Sequence, residues 1–290
     1  MDLSQIATKK NTFKLSYDMK ETEGHTINAE TLGMSILNTS RAISTANKIL
    51  NGEASLIDVQ VKAHQEGSFM VEFVTLVAEN AENILEILGF VAGGTVVGNT
   101  VIGAMKQLKD QKITARVKDN GKSTGKLILE NGETVEFTPE VASIITDETF
   151  RKEMTQVLYN PIHGKDGAKA IFKDEDDNDV ATVEAANATA FKALPRNTLT
   201  EEDNETNQVT IHFSQVNFDG LSGWKVKLPD GEVVAARMKD KAFIDRINKG
   251  YAKFNKTDAA LVKLSKTVKT KTDGSSRTSY TIEEIIRQIT

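Results

Sequence analysis

Apolar and polar positions alternate at the start of this chain as they do in a half-buried strand, with Phe13, Leu15 and Tyr17 on one face. The period then lengthens. Leu32, Ile36, Ile43, Ala46 and Leu50 recur at helical spacing until Asn51-Gly52 stops the pattern. Two further alternating runs, Ile57/Val59/Val61 and Phe69/Val71/Phe73, are joined through Gly67 and predict a hairpin. Residues 1–77 are thus expected to form an N-terminal β-α-β-β unit.

The nineteen residues Ile87 to Met105, ILGFVAGGTVVGNTVIGAM, fit neither period. They hold five glycines and no charge, with Glu79, Glu82 and Glu86 before them and Lys106, Lys109 and Lys112 after. As one helix, at roughly 1.5 Å per residue, they would span about 28 Å of a hydrocarbon core about 30 Å thick. The eight strongly apolar residues favour insertion by only about 2–5 kcal/mol in sum. Thr95, Asn99 and Thr100 subtract from that. Gly89-x-x-x-Gly93 and Gly94-x-x-x-Gly98 place small residues where helix backbones approach closely in lipid, so copies that associate would insert better than one alone. Five glycines at about 1 kcal/mol each also disfavour a helix in water, and the soluble alternative is a buried hairpin turning at Gly93-Gly94. Residues 78–112 are expected to be a glycine-rich, transmembrane-like helical segment. Its candidate pore residues are Gly89, Gly93, Gly94, Gly98, Asn99 and Gly103.

A middle α+β domain is expected over residues 113–194. It opens with ITARVK and the hairpin KLILENGETVEF, where Asn131-Gly132 suits a type I′ turn. Thr138-Pro139 predicts a cap and first position for a helix bearing Val141, Ile144 and Ile145. A second helix, around Phe150, Met154, Val157 and Leu158, ends before Pro161. Short strands near 168–173 and 180–183 flank the acidic turn DEDDND, which lacks the glycine and distal glutamate of a calcium loop and reads as a solvated turn. Residues 195–207, PRNTLTEEDNETN, are polar and aperiodic, as a linker is. The remainder, 208–290, contains VTIHF, GWKVKL, EVVAARM, ALVKLSKTV and TSYTIEEI, with a helix from Asp240 to Lys249 between the third and fourth strands. That order predicts a five-stranded OB-like small barrel, in an α+β chain as a whole.

Composition narrows the chemistry. There is no cysteine, which excludes disulfides, thiolate metal sites and cysteine nucleophiles. The net charge of -5 argues against a general nucleic-acid coat protein. The distribution matters more: residues 172–206 hold ten acids and three bases, whereas 209–290 hold fifteen bases and nine acids. His25, His64, His163 and His212 are scattered without metal-ligand spacing. NGKSTGK imitates the end of a phosphate-binding loop, but Arg116 stands where its first glycine belongs and a strand-to-strand turn is expected. Nothing nominates a nucleophile, a general base, a metal or a cofactor, so a non-enzymatic role is expected. The start of the chain lacks the apolar stretch of a secretory signal, which points to cytoplasmic domains.

Three passages carry a resemblance: ANKILNGEASLIDVQVKAHQEGSFMVEF, the glycine-rich run after it, and GWKVKLPDGEVVAARMKDKAFIDRINKGYAKFNKTDAALVKL. In this order they are similar to the HalA-type transmembrane effectors of the Hailong anti-phage defence system, a bacterial family. The resemblance implies an oligomeric inner-membrane channel with cytoplasmic domains, held closed by a single-stranded DNA oligomer that a partner nucleotidyltransferase makes, and opened during phage infection. Such a ligand needs cations for its phosphates and flat groups for stacking. Two patches qualify. One is Trp224, Lys225, Lys227 and Arg237, followed by Lys239, Arg246 and Lys249; the other is Arg41, Lys48, Lys62 and His64.

Overall fold

The computed structural model describes residues 8–24, 26–62, 70–78, 83–93, 97–109, 111–195, 198–217, 219–251 and 258–289. It divides into two units, residues 1–116 with 125–198, and residues 117–124 with 199–290.

The first unit begins with β1 (Thr8–Asp18), whose Phe13, Leu15 and Tyr17 are buried as their alternation predicts. α1 (Ala29–Asn51) is capped by Asn28, whose side chain accepts from Thr31 N, and stops at Gly52. β2 (Ile57–Val61) and β3 (Met70–Ala78) pair antiparallel, with Ile57 opposite Val77. Two short helices follow, α2 (Ile84–Leu88) and α3 (Val101–Leu108). Next come β4 (Ile113–Asp119), β5 (Lys122–Leu129), β6 (Thr134–Glu136), α4 (Pro139–Ile145) and α5 (Glu148–Met154). α5 passes into a π-helical turn, Thr155–Tyr159, and β7 (Lys169–Lys173) and β8 (Asp179–Glu184) close the unit.

Five of these strands form one sheet in the order β2-β3-β1-β7-β8. The expected N-terminal and middle domains are therefore not separate: β1 pairs with β3 on one side and with β7 on the other. Burial explains the merger. Phe13, Phe73 and Phe172 from the three central strands meet Phe90 in a fully buried cluster, with Phe13 and Phe73 stacked 4.9 Å apart. A β-α-β-β unit alone would leave the β7 side of Phe13 in water.

The second correction concerns the glycine-rich run, which is two short helices and not one span. α2 ends at Gly89, which takes the left-handed conformation (φ 82°) and donates to the carbonyls of Leu85 and Glu86. Among the described residues the next helical turn is Val97–Asn99, and α3 starts at its cap Thr100. Leu85, Leu88, Phe90, Val101, Ala104 and Met105 are buried in the first unit's core. No helix among the described residues is long and apolar enough to cross a membrane.

Turn chemistry differs from expectation at one hairpin. The positive φ values at consecutive residues that a type I′ turn requires occur at Asn120-Gly121, inside the imitation phosphate loop, while at Asn131-Gly132 only the glycine is left-handed. The β5–β6 connection is the three-residue form instead, closed by Gly132 N to Leu129 O.

The second unit is the predicted barrel. β9 (Thr200–Gln215), β10 (Trp224–Lys227), β11 (Val233–Met238), α6 (Lys241–Asn248), β12 (Ala259–Lys271) and β13 (Ser276–Ile289) follow in chain order. Their pairing runs β9-β10-β11-β13-β12 and returns to β9, antiparallel except at β11–β13. This is the closed five-stranded Greek-key order of an OB-like barrel, with its helix between the third and fourth strands. The expected linker 195–207 is largely strand, since β9 begins at Thr200 and pairs with β12 from Lys271 back to Ala259. Its polar sequence belongs to an arm outside the barrel core, half-buried over Thr200–Asn204 and exposed over Glu205–Gln208, so no apolar alternation marks it. The hairpin tip 117–124 joins this arm through Asn120 N to Asn204 O and the Lys118–Glu201 ion pair, 2.8 Å.

Candidate functional site

Inside the barrel, Ile211, Phe213, Trp224, Val226, Val234, Ala236, Met238, Val262 and Ile282 alternate with outward residues, and Phe243 of α6 joins them. Asp240 fixes that helix: its carboxylate accepts from Phe243 N and from Ile285 N. Trp224 is fully buried, edge-on to Phe213, and its Nε1 donates to Gly220 O at 2.9 Å. It is a core residue and not a stacking platform, which corrects the expectation placed on it.

The same alternation turns its neighbours outward. Lys225 and Lys227 on β10 are exposed, opposite Ala235 and Val233 of β11, and Arg237 lies two residues beyond Ala235 on the same face. Arg237 in turn stands opposite Thr281 of β13, whose two-residue period puts Ser279 and Arg277 on that face as well. His212 of β9 pairs with Lys227 and completes the row. Lys225, Lys227, Arg237 and Arg277 form no ion pair among the described residues, whereas neighbouring Lys239 is matched by Glu283 at 2.8 Å. Arg277 has no signal in the sequence because it is 40 positions from Arg237; it comes to this face by alternation along β13, four residues from the Thr281 that pairs with Arg237.

The N-terminal patch does not assemble as a free cationic surface. Arg41 and Lys48 are exposed on α1, but Lys48 pairs with Glu53 and Lys62 with Glu72. His64 and Gly94 lie outside the described residues.

Within the first unit, Gly89, Gly93, Gly98 and Gly103 line a cavity of about 550 Å³ between the α2–α3 segment and β8. Asn99, in the helical turn before α3, is exposed. The acidic turn between β7 and β8 is ordered by its own first residue: Asp174 accepts from Asp176 N, Asn178 N and Asn178 Nδ2, and these bonds, led by those from Asn178, hold its carboxyl below the usual range.

Two buried charges lie elsewhere in this unit. Arg151 donates to Lys192 O through Nε and Nη2, and burial lowers its pKa to about 10. Glu153 accepts from Thr45 Oγ1 at 3.2 Å while its second oxygen is buried without a partner, and burial pushes its pKa up to about 7. His163 stacks on Tyr159. Among the described residues no group of His, Cys, Asp or Glu stands where it could hold a metal ion.

No family model, no curated protein and no solved structure matches this chain.

Proposed function

We propose that this chain is a binding module, not a catalyst, and that its C-terminal barrel takes a single-stranded oligonucleotide across β10, β11 and β13. The observation behind this is a set of outward cations without carboxylate partners among the described residues: Lys225, Lys227 and Arg237 on the second and third strands of the barrel, and Arg277 farther along on β13. That face is where OB folds commonly hold extended oligomers. Lysines and arginines spaced along adjacent strands suit successive phosphates of one strand. The only ring among the outward residues just described is that of His212, so the contacts are to the backbone and the preference for base sequence is weak. A single-stranded DNA oligomer, the regulator implied by the resemblance, is a ligand of this class.

The pore in that resemblance would require α2 and α3 to leave a core that holds Phe90 and Met105 fully buried. The glycine-rich run is therefore given the alternative role, a buried hairpin. Fluorescence anisotropy of the full-length chain with a labelled single strand tests the proposal. Binding that weakens in the Lys225→Glu/Arg237→Glu variant supports it; an affinity equal to that variant's, or a preference for a neutral oligosaccharide, overturns it.

A further inference from the structure

The cavity in the first unit is kept open by glycines that its backbone does not require. Gly98 does not have a left-handed φ, and nothing lies within 4 Å of where its Cβ would stand. Gly103 is inside α3, where glycine costs about 1 kcal/mol relative to alanine. Both line the same space of about 550 Å³, a size within the range of about 300–1,000 Å³ usual for small-molecule sites.

The opposite wall is the free edge of β8. Ala185 N donates to Ala168 O, and antiparallel alternation then turns the main-chain groups of Thr182 away from β7. Its carbonyl accepts from Lys106 Nζ at 3.1 Å, which holds that lysine against the wall. Among the described residues Lys106 is also the only cation lining the cavity, against Glu86, Asp174 and Asp179. Asp179 is paired with Lys173, and Asp174 is occupied by its turn. Glu86 differs: it accepts from Asn83 Nδ2, packs on Gly93 and has no cationic partner among the described residues. Past Glu86 a smaller hollow of about 290 Å³ continues toward Glu175 and Asp176, with Lys9 and Lys10 on its rim.

We infer that this cavity binds a small organic cation of the polyamine class. One ammonium sits on Glu86, and the methylene chain lies along Val91, Ile102 and Ala181. An anion would face three carboxylates and one tethered lysine. A hydrated metal ion would gain nothing from the apolar part of the wall. The site is independent of the barrel and of the oligonucleotide proposal.

Isothermal titration of the full-length chain with putrescine and spermidine at constant ionic strength tests this, with 1,4-butanediol and Mg²⁺ as controls. The expected result is one saturable site for the amines and no site for either control. Glu86→Gln weakens amine binding by about tenfold or more, the loss of one charge-assisted contact. Gly98→Leu fills the space and abolishes binding while thermal unfolding stays cooperative; if that variant misfolds, Glu86→Gln decides alone. Absence of amine binding, equal binding of Mg²⁺, or affinity unchanged by Glu86→Gln overturns the inference.

Discussion

Phe90 lies flat on Phe172, with ring centroids 4.3 Å apart and planes within 9° of parallel. The first belongs to the glycine-rich run and the second to β7, so this contact fastens the least typical segment of the chain to the central sheet. Both rings are fully buried, and Phe13 sits 5.2 Å from Phe90. Phe90→Ala is expected to destabilise the first unit by about 3–5 kcal/mol through lost transfer energy and a residual cavity. Urea titration followed by far-UV circular dichroism measures it. A loss below about 1 kcal/mol would mean that this segment is not packed as described.

What the sequence revealed follows from what periodicity can encode. Residues inside the barrel alternate over most of each strand, so Ile211, Trp224, Val234 and Ile282 announce strands by their spacing alone. The parallel β11–β13 pairing and the β1–β7 pairing join residues far apart in the chain, and no local pattern carries them. The glycine run misled for a definite reason. A segment packed into a protein core and a segment in lipid both exclude charge, and only length separates them. Here Gly89 ends the first helix within the run, a break that composition does not mark. The face with Lys225, Lys227 and Arg237 was legible as a cluster; Trp224 was assigned to it because adjacency in sequence ignores the alternation that points it inward.

Glu153 gives a pH dependence of known sign. Burial is the largest cause of its raised pKa, the charge of Asp147 adds to it, and the hydrogen bond from Thr45 and the charge of Arg41 oppose it. With a folded value near 7 against an ordinary 4.5, the fold favours the protonated acid. Its contribution is complete below the unfolded value, falls as pH rises from there to about 7, and is flat above. The loss is on the order of 3 kcal/mol. Glu153→Gln should remove this slope, leaving stability near wild type in acid and greater than wild type in mild base. Chemical denaturation across that range reads it. A wild-type slope persisting in the variant would assign the titration to another group.

Trp224 is the single tryptophan and is fully enclosed by the barrel, so its fluorescence reports the second unit alone. Native emission should be blue-shifted, and should move to the red only when the barrel unfolds. Trp224→Ala is expected to cost about 3–5 kcal/mol, in part because Gly220 O loses its donor. Because the proposed ligand lies on the outside of the strands, saturating oligonucleotide should leave the emission maximum unchanged. A shift on binding would mean that the ligand reaches or rearranges the interior.

Salt dependence separates a phosphate-tracking face from general stickiness. Four contacts to single-stranded phosphates predict a slope of log affinity against log salt of about -3, at roughly -0.7 per contact. Lys225→Gln, Lys227→Gln, Arg237→Gln and Arg277→Gln should each weaken binding and reduce the slope by about 0.7. Arg277→Gln is the most discriminating, because that residue lies four positions along β13 from Thr281, the partner of Arg237, and so tests how far the ligand extends along the face. Lys48→Gln and Lys62→Gln should leave both quantities unchanged, since their charges are already matched by Glu53 and Glu72. If the N-terminal substitutions alter the slope and Arg277→Gln does not, the ligand lies on the other unit and the barrel face is not its site.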